Sequence, residues 1–179
     1  MKKLFLTLCL LTGIIISSYA QSLTSDYTSY DRGFWIAGEF RPSYTLNISS
    51  SNSPVVELDV NGGYRFNEYV RIGVGFGGRY YIKSTNVRSG NICWSFPIYS
   101  NIRGNFIPTG YRDVVPYYSL DLGGTIRDGF MWRPTVGIRI GQKRSAFLLG
   151  LTYTGQSLIN RNEKRSYCSM LGLTLGYEY

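Results

Sequence analysis

Apolar residues recur at every second position along most of this chain. Leu171, Leu173, Leu175, Tyr177 and Tyr179 share one face, and Gly172, Thr174, Gly176 and Glu178 share the other. A period of two is the mark of a β-strand, whose side chains point alternately to its two faces. The pattern predicts eight strands, at about 34–48, 55–66, 69–83, 92–106, 115–126, 132–141, 146–155 and 166–179. In each, one face is apolar (Val70, Ile72, Val74, Phe76 in the third). The opposite face carries arginines, carboxylates and glycines, as Arg71, Gly73, Gly75, Gly77 and Arg79 do there.

Two architectures satisfy such alternation. A soluble sandwich or barrel buries the apolar face, whereas a membrane barrel turns it to lipid and points the polar face into the lumen. The strand number is even, and the strands are long enough for a tilted membrane crossing. Short connectors near 67–68 and 142–145 alternate with longer polar ones near 49–54, 84–91 and 156–165. The connector at 107–113 falls on the short side yet is long; 127–131 belongs with the outer set. Laying the strands up and down places Phe34, Phe66, Tyr69, Phe106, Phe147, Tyr177 and Tyr179 at one rim. Tyr44, Tyr80, Trp94, Trp132 and Tyr153 then fall at the other. Two aromatic girdles are what a bilayer's two interfaces select. The expected fold is therefore all-β, an eight-stranded antiparallel up-and-down transmembrane β-barrel.

The first twenty residues read differently. Lys2 and Lys3 precede an apolar run from Leu4 to Ile16, and Ser18-Tyr19-Ala20 offers small residues at a cleavage site before Gln21. This is the pattern of a secretory signal peptide, too short for a spanning helix. The expected organisation is a signal peptide at 1–20, a short periplasmic segment at 21–32 and the barrel at 33–179. Leu8 before Cys9 is not the small residue that a lipoprotein site requires. Removing Lys2 and Lys3 lowers the formal charge from +8 to +6.

The terminal Leu-Gly-Leu-Thr-Leu-Gly-Tyr-Glu-Tyr, together with the eight alternating strands, resembles the small outer-membrane barrels of the OmpA/OmpX type. It is most similar to the compact outer membrane protein β-barrel domain proteins of Gram-negative bacteria, over about 33–179. The resemblance implies a bacterial outer-membrane location with both termini in the periplasm. It also implies that Leu175, Tyr177 and Tyr179 form the signal read by the barrel-assembly machinery, although Tyr179 stands where phenylalanine is commoner. No periplasmic peptidoglycan-binding domain follows, so that role of the larger relatives is not expected. Architecture alone does not fix function.

The chemistry is concentrated on the polar face. Glu39, Arg41, Glu57, Asp59, Arg79, Arg103, Asp121, Arg133 and Arg139 are expected to form a charge network in the lumen. The register brings Glu57 opposite Arg79 and Asp121 near Arg139. Arg65 opposite Arg71 is a like-charge pair that Glu178 or water should relieve. An eight-stranded barrel is narrow enough for side chains to fill. The leading expectation is thus a monomeric, non-enzymatic barrel serving envelope integrity or surface interaction. A narrow porin-like channel is the alternative, followed by a soluble ligand-binding barrel.

Other motifs carry less. Gly73-Val74-Gly75-Phe76-Gly77-Gly78 lacks the helix a phosphate loop opens, so its inward glycines are expected to make room for large lumen side chains. Ser119 and Asp121 both point inward, but the chain has no histidine to act as base, and no catalytic residue, cofactor or metal site is expected. Cys93 and Cys168 are expected as unbridged thiols, their strands lying too far apart around the ring for a disulfide. Lys83, Arg88, Arg127, Arg133, Arg161, Lys164 and Arg165 are expected at the outer crown, against Asp128 and Glu163. Arg161, Lys164 and Arg165 are the candidates for lipopolysaccharide phosphates. The expected partners are outer-membrane lipids, lipopolysaccharide and the assembly machinery, with no nucleic acid.

Overall fold

The computed structural model describes residues 32–46, 53–82, 93–109, 112–126, 128–142, 144–159 and 165–179. The expected signal peptide and the N-terminal segment up to residue 31 lie outside the described residues. Nine strand segments follow one another: β1 (Gly33–Thr45), β2 (Pro54–Arg65), β3 (Arg71–Tyr81), β4 (Trp94–Ser95), β5 (Pro97–Asn105), β6 (Val114–Thr125), β7 (Phe130–Gly141), β8 (Ala146–Ile159) and β9 (Arg165–Glu178). Consecutive strands pair antiparallel, except that β4 and β5 both pair with β3, and β1 pairs with β9, closing the ring.

β4 and β5 are two pieces of a single stave. Tyr80 opposite Trp94 and Phe76 opposite Ile98 belong to one continuous register, and only the stretch around Phe96 is unladdered. Pro97 supplies no backbone N–H there. The ladder between β1 and β9 likewise skips Pro42, and that between β7 and β8 skips Pro134. The barrel therefore has eight staves, in agreement with the period-two pattern.

The closure sorts every strand in the same sense. Trp35, Ala37, Glu39 and Arg41 of β1 are buried, while Phe34, Ile36 and Phe40 are exposed. Val74 and Phe76 of β3, Leu122 of β6, Val136 of β7 and Leu151 of β8 also lie on the outside. A continuous belt of exposed aliphatic and aromatic side chains is incompatible with a water-soluble monomer and suits lipid. Ring pairs mark both edges of the belt. At the rim where β1 begins and β9 ends, the proximal rim, Phe34 meets Tyr64 at 5.5 Å and Phe147 meets Tyr177 at 5.1 Å between centroids. At the distal rim Tyr80 meets Trp94 at 5.0 Å and Trp132 meets Tyr153 at 5.3 Å. Tyr167 joins the distal girdle by accepting a hydrogen bond from Trp132 Nε1 at 2.9 Å.

Connector geometry differs from expectation in two places. Asn67-Glu68 is not a two-residue turn, because Phe66 N–H donates to Val70 O at 3.1 Å across a three-residue loop. The Asn67 side chain closes that loop by accepting from the N–H groups of Tyr69 and Val70 at 2.9 and 2.7 Å. Asparagine does this readily, since its short side chain mimics a backbone turn. The other difference is at 156–165, where β8 and β9 extend the hairpin and pair Ser157 with Tyr167 and Ile159 with Arg165. The long 107–113 connector is tied down by Glu68, whose carboxylate accepts from Thr109 N–H at 2.5 Å and Thr109 Oγ1 at 2.6 Å.

The glycine run lies wholly within β3. A Cβ on Gly73 would meet the Trp35 ring, one on Gly75 the Tyr99 ring and Asn61, and one on Gly77 the Asp59 carboxylate. These glycines are the space that neighbouring staves' large lumen side chains occupy. Replacing Gly75 with leucine should destabilise the folded barrel by about 1–3 kcal/mol, as overpacking of a filled core does. Urea titration in detergent micelles measures this; an unchanged midpoint would mean the lumen is loosely packed.

Candidate functional site

Inward parity on eight staves brings seven arginines and five carboxylates into one narrow interior. The site they build has three levels.

The middle level is a crossed network. Arg133, on β7, donates from Nε to Asp121 at 2.7 Å and from Nη1 across the lumen to Glu57 on β2 at 2.5 Å. Its Nη2 lies 3.4 Å from Asp59. Arg79 donates from Nε to the other oxygen of Glu57 at 2.7 Å and from Nη1 to Gln156. Arg41 bonds both Asp59 and Glu39 and lies 3.4 Å from Asp121. Arg103 reaches Glu39 at 2.7 Å and donates to Asn101 Oδ1 at 2.7 Å. Two of these guanidiniums also stack on rings, Arg103 over Trp35 at 4.5 Å and Arg133 over Tyr99 at 4.6 Å. Buried charges persist in such a setting only when paired and hydrogen-bonded. Arg79 and Arg133, both 0% exposed, cross the bore at this level.

The proximal level centres on Glu178. Arg65 donates to its Oε1 at 3.1 Å, Arg71 bonds the same oxygen, and Arg139 Nε lies 3.5 Å from it. Arg103 Nη1 lies 3.7 Å from Oε2. The like-charge pair of Arg65 and Arg71, directly opposite in register, is thus bridged by Glu178.

The distal level is capped by an apolar cluster of Val55, Tyr81, Cys168 and Met170. Beside it Asp128 accepts from Ser95 Oγ and Thr125 Oγ1 at 3.0 Å each, and from Gln156 Nε2 at 3.2 Å. Cys168 is a buried free thiol within this cap.

The expected lumen residues are brought together with one change of partner. Asp121 does not meet Arg139. β7 begins at Phe130, so Asp121 stands opposite Arg133, and Arg139 falls six residues on, opposite Val115. Arg133 is accordingly a lumen residue and not part of the outer crown, and Asp128 turns inward to the cap. Lys83, Arg88, Arg127, Arg161, Glu163 and Lys164 lie outside the described residues, and Arg165 is the first residue of β9. Leu175 and Tyr177 face outward on β9, opposite Leu149 and Phe147, and Tyr179 is hydrogen-bonded through its backbone to Ile36. Ser119 and Asp121 both receive a hydrogen bond from the Asn101 amide, to Ser119 Oγ at 2.8 Å. Sequence reasoning misses Gln156, and it puts Tyr99 and Asn101 on the polar face of their strand without giving them a part in the network. Continuing the inward parity of Thr152 and Thr154 by one step would have found Gln156.

No family model matches the chain, and no curated protein matches it in sequence. Among solved structures, the crystal structure of Neisserial surface protein A is similar, with a TM-score of 0.62 at 13% identity. The likeness covers 82% of this chain and 97% of that one. Closed ring, lipid-facing belt and shared architecture together give this chain the fold of an eight-stranded outer-membrane β-barrel.

Proposed function

We propose that the protein is a non-enzymatic, monomeric integral barrel of the bacterial outer membrane, oriented with both termini in the periplasm. Its filled lumen blocks passage, and its outer face and distal loops serve envelope integrity or surface interaction. The observation that carries this reading is the network in which Arg133 bridges β7 to β2 and Arg79 bridges β3 to Gln156 on β8. Side chains held across the bore at both ends by hydrogen bonds stand in the way of an aqueous path. On the same reading the distal loops, with Arg161, Lys164 and Arg165, contact lipopolysaccharide phosphates, and Leu175, Tyr177 and Tyr179 engage the assembly machinery.

Planar-bilayer recording tests the occluded lumen. The unmodified protein should show no steady single-channel conductance. Arg79→Ala removes the partner of both Glu57 and Gln156, and should introduce a small leak. A large, steady conductance from the unmodified protein would instead support a narrow channel for small solutes.

A further inference from the structure

The lumen's charges are unevenly distributed along its axis. Among the described residues, the middle level sets Arg41, Arg79 and Arg133 among four carboxylates, those of Glu39, Glu57, Asp59 and Asp121. The proximal level gathers Arg65, Arg71, Arg103 and Arg139 about Glu178, with Glu39 shared through Arg103 and the Glu68 carboxylate held at the rim by Thr109. Among the described residues, positive charge is therefore in excess at the proximal end. A guanidinium cannot relieve this by losing its proton. Uncompensated charge in a buried site costs several kcal/mol.

Hydrogen bonding points the same way. Arg71 Nε, Arg103 Nη1 and Asn105 Nδ2 are buried donor atoms with no hydrogen-bond partner. Their residues are 1–2% exposed. The register makes them neighbours: Arg71 stands opposite Arg103, and Asn105 lies two residues on along β5. Arg71 already donates to Asn105 Oδ1 at 3.3 Å, so the amide nitrogen is its remaining free group. Several unspent donors, a cationic excess and one carboxylate already shared by four guanidiniums describe a place for a second acceptor of negative charge.

We infer that the proximal end of the lumen binds one small inorganic oxyanion of the phosphate or sulfate class, held by Arg71, Arg103 and Asn105 beside Glu178. Arginine's planar fork suits a tetrahedral oxyanion through paired N–H donors. Glu178 Oε2, itself without a hydrogen-bond partner, stands 3.7 Å from Arg103 Nη1, beyond hydrogen-bond reach, and such an ion brings acceptor oxygens to the donors that Glu178 does not reach while it offsets the excess charge. This goes beyond the occluded-lumen reading, and its test reads stability rather than conductance, so either can fail without the other.

The test uses the full-length folded barrel in a neutral detergent, stripped of phosphate and sulfate. The midpoint of thermal unfolding is followed by tryptophan fluorescence at fixed pH and ionic strength, with inorganic phosphate replacing gluconate. At about ten times its dissociation constant, phosphate should raise the midpoint by about 3–5 °C, with a further step of about that size for each additional tenfold rise in concentration. Arg71→Gln and Arg103→Gln should each lose most of that increment. Glu178→Gln, which deepens the cationic excess, should enlarge it. Glu178→Gln reads in the opposite direction, so a failure of the arginine variants to assemble leaves the test intact. Equal midpoints in phosphate and gluconate would overturn the site. So would an undiminished response in Arg71→Gln, an unenlarged one in Glu178→Gln, or stabilisation by phosphatidylglycerol micelles but not by inorganic phosphate.

Discussion

Deleting Tyr177, Glu178 and Tyr179 should abolish accumulation of the folded barrel in the outer membrane. β9 is the closing stave, paired along its whole length with β8 and between Met170 and Glu178 with β1. Its last residues make the proximal part of that seam: Tyr177 stands opposite both Phe147 and Gly38, and Tyr179 exchanges backbone hydrogen bonds with Ile36 at 2.9 and 2.8 Å. Opening the seam exposes backbone groups of β1 and β8 to hydrocarbon, where each unpaired group costs several kcal/mol. The deletion also takes away Glu178, leaving Arg65, Arg71, Arg103 and Arg139 without the carboxylate they converge on. Immunoblots of separated membrane and periplasmic fractions should show the truncated chain degraded or periplasmic. Wild-type membrane levels would mean that neither the seam nor these side chains govern assembly.

The largest effect of a single side chain is expected at Arg133. It joins Glu57, Asp59 and Asp121, carboxylates of two staves, while lying over the Tyr99 ring. Arg133→Ala removes the one cation those three groups share and leaves them buried. Breaking a buried pair from one side costs about 3–5 kcal/mol, more than deleting a surface charge does. Urea unfolding in lipid vesicles should register that loss. Arg133→Lys should recover part of it, because lysine restores the charge but not the fork that spans β2 and β6. The exposed Arg144 provides the contrast, with Arg144→Ala expected within about 0.5 kcal/mol of wild type. Comparable midpoints for the Arg133 and Arg144 alanine variants would mean that the lumen is hydrated enough to screen its charges.

Much of this fold could be read from alternation, because a strand's side-chain period is fixed by covalent geometry and a shift of one residue inverts the face. That is why Glu57, Arg79, Glu178, Arg65 and Arg71 can all be assigned to the inward face; the pairing of Glu57 with Arg79 holds through the three-residue loop at 67–69. What alternation could not supply is where each strand stops. The turn between Thr125 and Phe130 moved the centre of the β6–β7 hairpin and exchanged Arg139 for Arg133 as the partner of Asp121. A polar stretch with strand parity, Gln156–Ser157, read as loop because nothing in it is apolar; yet Gln156 is buried and holds Arg79. Contacts across the bore, such as Arg133 to Glu57, join staves far apart in the ring. Barrel diameter and stagger set them, and no local pattern encodes either.

Electrophoretic behaviour tests the central claim most directly. Residues 21–179, refolded into detergent or lipid, should resist SDS at room temperature. On gels they should run at a different apparent mass from the boiled sample, and without detergent they should aggregate through the exposed apolar belt. A chain that stays soluble and monomeric in plain buffer, with one mobility before and after boiling, would contradict a lipid-facing barrel.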